Sequence, residues 1–364
     1  MNVVVKIGTT SVTDAHGDIE PAAVEKLCTE VAGLRGGHHR VVVVSSGAIS
    51  AGLPALGLSG SRPTDLATLQ AVSAVGQHRL MRVYEDALSR HGLVAGQVLL
   101  APLDFVNRSQ YLHARQTLGR LLDLGVVPVV NENDAVADDE IRFGDNDRLA
   151  ALVAHLISAD VLVLLTDTAG MFTADPRVDA AASLIDEIVE VDAALEAAAG
   201  SSSDVRGSGG MASKLAAARI AAWSGVTAVI ASAAKPGILK AAVNGEPGVG
   251  TVVRPHDRRL SARKLWIAFA VGSSGRISVD AGARDALVGS GRSLLPAGVV
   301  SADGSFSTDD AVELAGPDGQ VFAKGLTRHA ASRVNEWAGR KSSELPSDVT
   351  PVVVHRDDMV VLSA

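Results

Sequence analysis

The stretch VVPVVNENDAVADDEIRFGDNDRLAALVAHLI, residues 126–157, decides the fold. It begins with an aliphatic run, 126–131, of the kind typical of a strand buried on both faces of a parallel sheet. Residues 147–158 have the length and apolar content of a helix. A polar segment separates the two. This order predicts one unit of an open α/β sheet, with the polar segment at the carboxyl end of the strand.

The same order repeats on both sides of this stretch. Further aliphatic runs predict strands, and helical candidates separate them. The predicted strands are residues 3–7, 40–45, 93–100, 161–166 and 226–231, and the predicted helices are residues 21–33, 64–90, 108–124 and 212–224. We therefore predict an open, mostly parallel sheet between layers of helices.

The character of the sequence changes near residue 255. From Trp266 onward the segments are short and glycine recurs every few residues, which is typical of a small, mostly antiparallel β unit. Short strands are predicted at residues 277–280, 298–301, 311–314, 320–325 and 352–355. We predict a first domain over residues 1–254, a linker over 255–262 and a small β-rich domain over 263–364.

Composition excludes several classes of protein. The 364 residues are 47% hydrophobic and 20% charged, which is enough apolar material for a large core. The single cysteine, Cys28, excludes a disulfide framework, and the ten histidines have no zinc-site spacing. A net charge of −8 argues against a dedicated nucleic-acid binder. Without a long apolar run or the features of a signal peptide, we expect a cytoplasmic protein with no membrane partner.

Lys6 lies between apolar residues in the first predicted strand. A buried lysine without a partner is costly, so two interpretations compete. In the first, the strand is an edge strand and the ammonium group reaches water. In the second, the ammonium group points from a central strand toward a bound phosphate. Gly8, Thr9 and Thr10 directly after the strand favour the phosphate, because they offer close backbone approach and hydroxyl groups.

A second basic position follows the Ser/Gly-rich stretch GSGGMASK, residues 207–214. The glycines precede a predicted helix and Lys214 lies in its first turn, so amides, helix dipole and ammonium group would together bind phosphate. The spacing does not satisfy the Walker A motif. Residues 201–206 are polar, so the letters G-x-G-x-x-A lack the strand that a dinucleotide-binding fingerprint requires. A flexible Ser/Gly loop is the alternative.

Two polar segments complete the candidate site. Ser45, Ser46 and Gly47 form a small-residue turn that suits an anion, although ordinary turn chemistry accounts for them equally well. The segment after residue 130 concentrates carboxylates and amides, which suits an ammonium group, a lysine network or Mg²⁺, with a solvated loop as the alternative. All these segments follow strands of one parallel sheet, so we expect them to converge. Together they favour phosphoryl transfer, which depends on positioning and charge neutralisation.

Longer motifs carry a resemblance along nearly the whole chain. They are VVKIGTT, VVVSSGAISAG, AGQVLL, PVVNENDAVA, IRFGDNDRLAALVAH, LLTDTAGMFTADPR, GSGGMASKLAAA, ASAAKPG and VVHRDDM. In these motifs the chain resembles the glutamate 5-kinases (γ-glutamyl kinases) of the amino acid kinase family. GRISVDAGARDAL and SLLPAGVV resemble the PUA domain that many of these enzymes carry at their C-terminus.

The resemblance implies ATP-dependent phosphorylation of the side-chain carboxylate of L-glutamate to L-glutamyl 5-phosphate, the first step of proline biosynthesis. ATP and Mg²⁺ are the implied cofactors. One alternative is another acyl kinase of the same fold, such as an acetylglutamate or aspartate kinase. The other is a non-catalytic RNA-binding or regulatory relic of a kinase. The PUA-like tail and the motif NENDAVA disfavour another acyl kinase. The presence of both Lys6 and Lys214 disfavours a non-catalytic relic.

The resemblance also assigns roles to individual residues. Lys6 and Lys214 would stabilise the transferring phosphoryl group, and Asp147 would orient the lysines or help to hold Mg²⁺. L-Glutamate would be held by Ser46, Asp134 and Asn146. The nucleotide would contact Lys6, Thr166, Asp167, Ser208, Gly209, Gly210, Met211, Ala212, Ser213 and Lys214. The attacking carboxylate is already ionised, so no strong base is required.

The implied partners are a second set of expectations. The family resemblance suggests a homo-oligomer, either a dimer or a tetramer, a hand-off of the product to glutamyl phosphate reductase, and feedback inhibition by proline. Residues 255–364 carry 13 Lys and Arg and 13 Asp and Glu, and this neutral balance argues against strong RNA binding by the tail. His113 stands where many relatives have Asn, which leaves the role of its helix open.

Overall fold

The computed structural model describes residues 1–14, 18–58, 63–136, 146–176, 178–200, 210–257, 259–346 and 349–362. The chain divides into two compact units, Met1–Arg259 and Leu260–Ala364. The strands of the first unit are β1 (Asn2–Ile7), β2 (Arg40–Ser45), β3 (Ala95–Leu100), β4 (Val127–Glu132), β5 (Val161–Thr166), β6 (Glu187–Ile188), β7 (Thr227–Ser232) and β8 (Thr251–Val253). Its helices are α1 (Pro21–Gly36), α2 (Ala48–Gly52), α3 (Leu66–Ser89), α4 (Leu103–Val106), α5 (Arg108–Asp123), α6 (Asn146–Leu156), α7 (Ala193–Gly200), α8 (Met211–Trp223) and α9 (Ile238–Asn244).

Within the described residues, the strands of the first unit form one sheet in the order β3-β4-β2-β1-β5-β7-β8-β6. β1 pairs in parallel with β2 on one side and β5 on the other, and only the β7–β8 pairing of this sheet is antiparallel. Val3, Val4 and Val5 have no exposed surface, as expected for a strand covered on both faces. The predicted mostly parallel α/β sheet is confirmed.

The order of the strands places the site. β1 is the point at which the chain begins to add strands on both sides, with β2 and β4 to one side and β5 and β7 to the other. Ligands of open α/β sheets bind in the crevice at the carboxyl ends of the strands on either side of such a point. The segments after Ile7, Ser45, Glu132 and Thr166 all begin at this edge.

Two predicted helix boundaries differ from the structure for local reasons. α3 begins at Leu66 rather than at residue 64, because the carboxylate of Asp65 caps it by accepting a hydrogen bond from the Thr68 amide at 2.9 Å. α1 runs past its predicted end at residue 33 to Gly36. Leu34 is buried in the core of the first unit, so the apolar face of the helix extends beyond the glycine at which the sequence suggested a stop.

Helices α2 and α3 cross at two glycines. A Cβ atom on Gly76 would lie 1.7 Å from the carbonyl oxygen of Ala48, and one on Gly52 would lie 2.0 Å from that of Val72. Only glycine permits so close an approach. α2 follows directly on the turn after β2, so the crossing fixes that turn against α3.

The second unit contains a five-stranded sheet, among its described residues, in the order β10-β9-β11-β12-β13. Its strands are β9 (Gly275–Val279), β10 (Val299–Gly304), β11 (Ala311–Ala315), β12 (Val321–Thr327) and β13 (Val354–Val361), and its helices are α10 (Ala262–Leu265), α11 (Ala281–Ser290) and α12 (Ala331–Trp337), with a π-helical turn at Trp266–Ala270. The predicted small, β-rich C-terminal unit is confirmed. All its sheet pairings are antiparallel except the parallel pair of β9 with β11.

Helix α11 was not predicted. Its glycines pointed to short strands, but the carboxylate of Asp280 caps the helix by accepting a hydrogen bond from the Ala283 amide at 2.7 Å. Leu287 is buried in the core of the unit with Ile277 and Phe322. No helix in the described part of the chain is long and apolar enough to cross a membrane.

Candidate active site

Lys6 projects from the centre of the large sheet. In β1 it pairs with Val44 of β2 and Leu164 of β5, and it is only 3% exposed. The edge-strand interpretation of Lys6 is therefore wrong. Its ammonium nitrogen lies 2.5 Å from Oδ1 of Asp147, the second residue of α6.

Asp147 connects this lysine to a second one. Nζ of Lys214, in the first turn of α8, lies 3.4 Å from Oδ2 of Asp147, and the hydroxyl of Ser213 donates to the same oxygen at 2.9 Å. The Asp147 side chain has no exposed surface, and both lysine side chains are almost fully buried. The trio of Lys6, Asp147 and Lys214 thus places one carboxylate between two ammonium groups and has an excess of one positive charge.

The charge of Asp147 is stabilised by its neighbours. Burial raises the pKa of this carboxyl, but the positive charges of Lys6 and Lys214 and the hydrogen bonds from Lys6 and Ser213 outweigh burial and hold the pKa below its usual range. Asp147 is therefore an anion at neutral pH. As such it offsets part of the desolvation cost of the two buried lysines and fixes the distance between them.

A cavity of about 170 Å³ opens beside the two lysines. Lys6 reaches the cavity from β1, and Lys214 reaches it from α8. Gly210 and Met211 place the N-terminus of α8 at the cavity wall. A helix N-terminus with an adjacent lysine favours bound anions such as phosphate. The predicted residues that line the cavity are Lys6, Ser46, Asn146, Thr166, Asp167, Gly210, Met211 and Lys214.

The opposite part of the site consists mainly of neutral amides and hydroxyls, together with the carboxylate of Asp134. Nδ2 of Asn146 donates to the carbonyl oxygen of Ser45 at 2.8 Å, to Oγ of Ser46 at 3.0 Å and to Oδ1 of Asn131 at 2.7 Å. Ser46 and Asn146, two of the residues predicted to hold the acceptor, are thus in direct contact. Asp134 accepts a hydrogen bond from the Ser73 hydroxyl at 2.8 Å.

Other predicted residues have different positions. Ser208 and Gly209 lie outside the described residues, as does the segment 137–145. Ala212 and Ser213 follow the cavity-lining start of α8, and Ser213 contacts Asp147 rather than the cavity. Asp134 lies beyond the cavity wall, two residues after β4.

The sequence reasoning missed the apolar wall of the cavity. Met171 and Phe172, after β5, and Ala198 and Ala199, in α7, line it together with Pro176. Small and apolar side chains carry no chemical signature by themselves. The motif LLTDTAGMFTADPR contained three of these positions, but α7 offered no signal. The wall gives the cavity an apolar part that suits a flat ring, next to its cationic part.

The fit of a metal ion can be tested on the same residues. Among the described residues, no three His, Cys, Asp or Glu side chains lie close enough together to hold an ion. Both oxygens of Asp147 face ammonium groups. The described side chains therefore do not form a cage for Mg²⁺, which in phosphoryl-transfer sites is usually held by phosphate oxygens and one or two carboxylates.

Comparison with known proteins identifies relatives of both units. Residues 1–232 match the amino acid kinase family and residues 275–347 match the PUA domain. The glutamate 5-kinase of Geobacter sp. strain M21 is 45% identical over 99% of this chain and 97% of its own length. That of Myxococcus xanthus is also 45% identical, over 99% of this chain and 96% of its own.

Two solved structures share the fold of the first unit. Carbamate kinase from Giardia lamblia, bound to AMP-PNP, matches with a TM-score of 0.52 and 18% identity over 70% of this chain and 98% of that one. The isopentenyl phosphate kinase of T. acidophilum, as a product complex, matches with a TM-score of 0.50 and 20% identity over 70% of this chain and 100% of that one.

Proposed function

The chain belongs to the amino acid kinase family, within its glutamate 5-kinase group, and on this premise we propose that it phosphorylates L-glutamate with ATP. The γ-carboxylate of glutamate attacks the γ-phosphorus of ATP, a new P–O bond forms, the bond to the β-phosphate oxygen breaks, and L-glutamyl 5-phosphate and ADP leave. The relatives that are 45% identical over nearly the full chain support this reaction. The observation that carries it is the buried trio of Lys6, Asp147 and Lys214 at the edge of the cavity.

The trio accounts for the electrostatic part of the reaction. A carboxylate and a triphosphate repel each other, and the transition state spreads negative charge over the transferred group. Lys6 and Lys214 offset this charge from two sides in a site already shielded from water, where preorganised cations are most effective. Asp147 acts on the lysines, since its oxygens face their ammonium groups and the Ser213 hydroxyl.

The nucleotide and the acceptor occupy different parts of the site in this proposal. The phosphates lie at Gly210, Met211 and Lys214, with Ser208, Gly209, Ala212 and Ser213 from the same segment and Thr166 and Asp167 across the cavity. Glutamate lies against Ser46 and Asn146, and Asp134 pairs with its ammonium group. Mg²⁺ enters as the complex of ATP, where it neutralises phosphate charge.

A hydroxamate assay tests the proposed activity. Hydroxylamine traps an acyl phosphate, so ATP-dependent hydroxamate should form with L-glutamate and not with acetylglutamate or aspartate. The Lys214→Ala variant is the negative control, and Lys240→Ala, an exposed lysine of α9, is its matched positive control. Product with one of the other two acids alone would assign a different acyl kinase activity, and no product with any acid would favour a non-catalytic relic.

The family resemblance extends the proposal to domains and partners. We assign residues 1–254 to the kinase domain, 255–262 to a linker and 263–364 to a PUA-like domain. A homo-oligomer, hand-off of the labile acyl phosphate to glutamyl phosphate reductase, and inhibition by proline complete the proposal. Light scattering, coupled assays with that reductase, and titration with proline test the three separately. The cytoplasmic location and the absence of RNA binding stay predictions.

A further inference from the structure

Helix α3 carries three buried polar side chains along one face: Ser73, Gln77 and Tyr84. They are separated by four and seven residues, spacings that place side chains on the same side of a helix. Polar groups in the interior cost free energy unless they are hydrogen-bonded. Each of these three bonds to a different segment of the acceptor side of the site.

Gln77 bonds to Asn131 at the end of β4. Its Oε1 accepts a hydrogen bond from Nδ2 of Asn131 at 2.7 Å, and the two residues are 6% and 2% exposed. Oδ1 of Asn131 in turn accepts from the backbone amide of Glu132 at 2.9 Å and from Nδ2 of Asn146 at 2.7 Å. A continuous series of amides therefore connects α3 to the first residue of α6.

Two backbone groups fix the direction of this series. The amide of Glu132 only donates, so the oxygen of Asn131 must face it. The carbonyl of Ser45 only accepts, so the nitrogen of Asn146 must face that carbonyl. Consequently the side-chain nitrogen of Asn131 is directed away from Glu132 and toward Gln77. Gln77 must therefore place its own side-chain oxygen opposite that nitrogen. The side chain of Gln77 is thereby required as an acceptor at that position.

The other two side chains hold neighbouring segments. The hydroxyl of Tyr84 lies 2.8 Å from Oγ of Ser45, in the turn that precedes Ser46. The hydroxyl of Ser73 donates to Asp134 at 2.8 Å. The glycine crossing of α2 and α3 keeps the same turn against the helix. A single helix thus bonds directly to the residue before Ser46 and to Asp134, and reaches Asn146 through Asn131.

We propose that Gln77 is a positioning residue for the acceptor substrate, and that α3 aligns the acceptor side of the site as a unit. The proposal rests on the assignment of Ser46 and Asn146 to glutamate. Gln77 is not among the described residues that line the cavity, so it acts through Asn131 and Asn146. Its oxygen stabilises the Asn131 amide in the orientation that the Glu132 amide and Asn146 also require.

The Gln77→Met variant tests this role, because methionine keeps the length of the side chain and removes the acceptor. Asn131 then has a buried nitrogen without that partner, and its amide is free to turn away from Asn146. We expect the KM for glutamate to rise about five- to tenfold, the effect of one lost hydrogen bond, while the KM for ATP stays near wild type. His78→Met, which places the same side chain at the next, exposed position of α3, should leave both unchanged.

Two further variants keep the test decisive. Gln77→Asn retains a buried amide, which favours folding, but withdraws its oxygen by one methylene, so the same selective rise in the glutamate KM is expected if Gln77→Met does not fold. Ser73→Ala should act in the same direction as Gln77→Met, since it removes the hydrogen bond that the Ser73 hydroxyl donates to Asp134. Equal changes in the two KM values, or none in either folded Gln77 variant, would overturn the positioning role.

Hydrogen exchange separates this proposal from the proposed function. In substrate-free protein, the Glu132 amide donates to Asn131, so its exchange should accelerate in Gln77→Met and not in His78→Met. Unchanged exchange would refute the role of Gln77 whatever reaction the enzyme catalyses. Accelerated exchange in a protein that gives no glutamyl hydroxamate would support the alignment by Gln77 and refute the glutamate assignment instead.

Discussion

The two sides of the proposed active site are held by different forces. On the phosphate side, the trio of Lys6, Asp147 and Lys214 is held by full charges in the interior of the protein. On the acceptor side, Asn131 and Asn146 are held by neutral hydrogen bonds that end on backbone groups. The trio and Asn131 are buried, yet a lost charge and a lost neutral hydrogen bond have very different costs.

This difference teaches how each side should respond to substitution. Removal of the carboxylate shared by the two lysines should lower stability and rate together, whereas removal of one lysine leaves an ion pair in place and should lower mainly the rate. Removal of one amide partner redistributes hydrogen bonds, so the acceptor side should lose affinity for one substrate and little else.

Asp147→Asn should have the largest effect. It removes the carboxylate that lies between two buried ammonium groups, which we expect to cost about 3–5 kcal/mol in the free energy of unfolding, together with most of the activity. Urea unfolding and turnover measure the two losses. Asp123→Asn is the matched control, because it breaks an exposed pair with Arg40 and should cost about 1 kcal/mol or less. Equal costs for the two variants would contradict the electrostatic account.

Lys214→Ala should separate rate from stability on the phosphate side. Asp147 keeps Lys6 as a partner at 2.5 Å in this variant, so the chain should fold. Loss of one preorganised cation should lower kcat by about 10²–10³. Circular dichroism and turnover, with Lys240→Ala as the control, measure both quantities. If the folded variant turned over at a rate near that of the wild type, the proposed role of Lys214 in phosphoryl transfer would be refuted.

Asp134→Asn should change the glutamate KM and not the ATP KM. Asparagine keeps an oxygen for the Ser73 hydroxyl but deletes the charge that we pair with the ammonium group of glutamate. A charged hydrogen bond of this kind corresponds to a rise in KM of about ten- to a hundredfold. Steady-state kinetics with each substrate varied in turn gives both constants. A similar rise in both would place Asp134 in the organisation of the lysines instead.

Acid should reduce the stability contributed by Asp147. Its pKa is lowered in the folded protein, so its contribution is present above about pH 4 and is lost as the pH falls through the folded-state pKa. The difference in unfolding free energy between wild type and Asp147→Asn should therefore be constant from pH 7 to about pH 5 and shrink below about pH 4. Urea titrations across this range measure it, and a difference that grows toward acid would reverse the sign of the argument.

Removal of the second unit should have the smallest effect on chemistry. The proposed catalytic and binding residues all precede Arg259, at which the first unit ends. A chain that ends at Arg259 should be folded and should retain its glutamate-dependent kcat, as expected of a domain with its own core. Activity and molecular mass are measured on the shortened and the full chain. An inactive or aggregated short chain would mean that the first unit depends on the second.

The sequence revealed one side of the site better than the other. Lys6 and Lys214 could be found because a lysine in an apolar strand and a lysine after a glycine-rich turn are unusual. The mostly parallel sheet could be inferred from the alternation of strands and helices. Gln77 could not be found in this way. A glutamine in a long helix is ordinary, and its partner Asn131 lies 54 residues away, so only the folded chain reveals that it is buried and bonded.

Long-range packing also explains why helix α11 of the second unit was not predicted. No helix was predicted around Gly282 and Gly289, because glycine weakens helices. Leu287 is nevertheless buried against the sheet, and packing of this kind overrides the local preference of single residues. Long-range packing decides such segments, and a single sequence contains little record of it.

The crossing of α2 and α3 has a consequence for the mutational history of the gene. Every single-nucleotide missense change in a glycine codon introduces a residue with a Cβ atom, and at Gly52 and Gly76 that atom would overlap a main-chain carbonyl group. Neither glycine lines the described cavity, yet both positions should be closed to substitution. A lineage that evolves to phosphorylate a different substrate must therefore change other residues, such as Ser73 or Asp134. The two glycines at the crossing of α2 and α3 must stay.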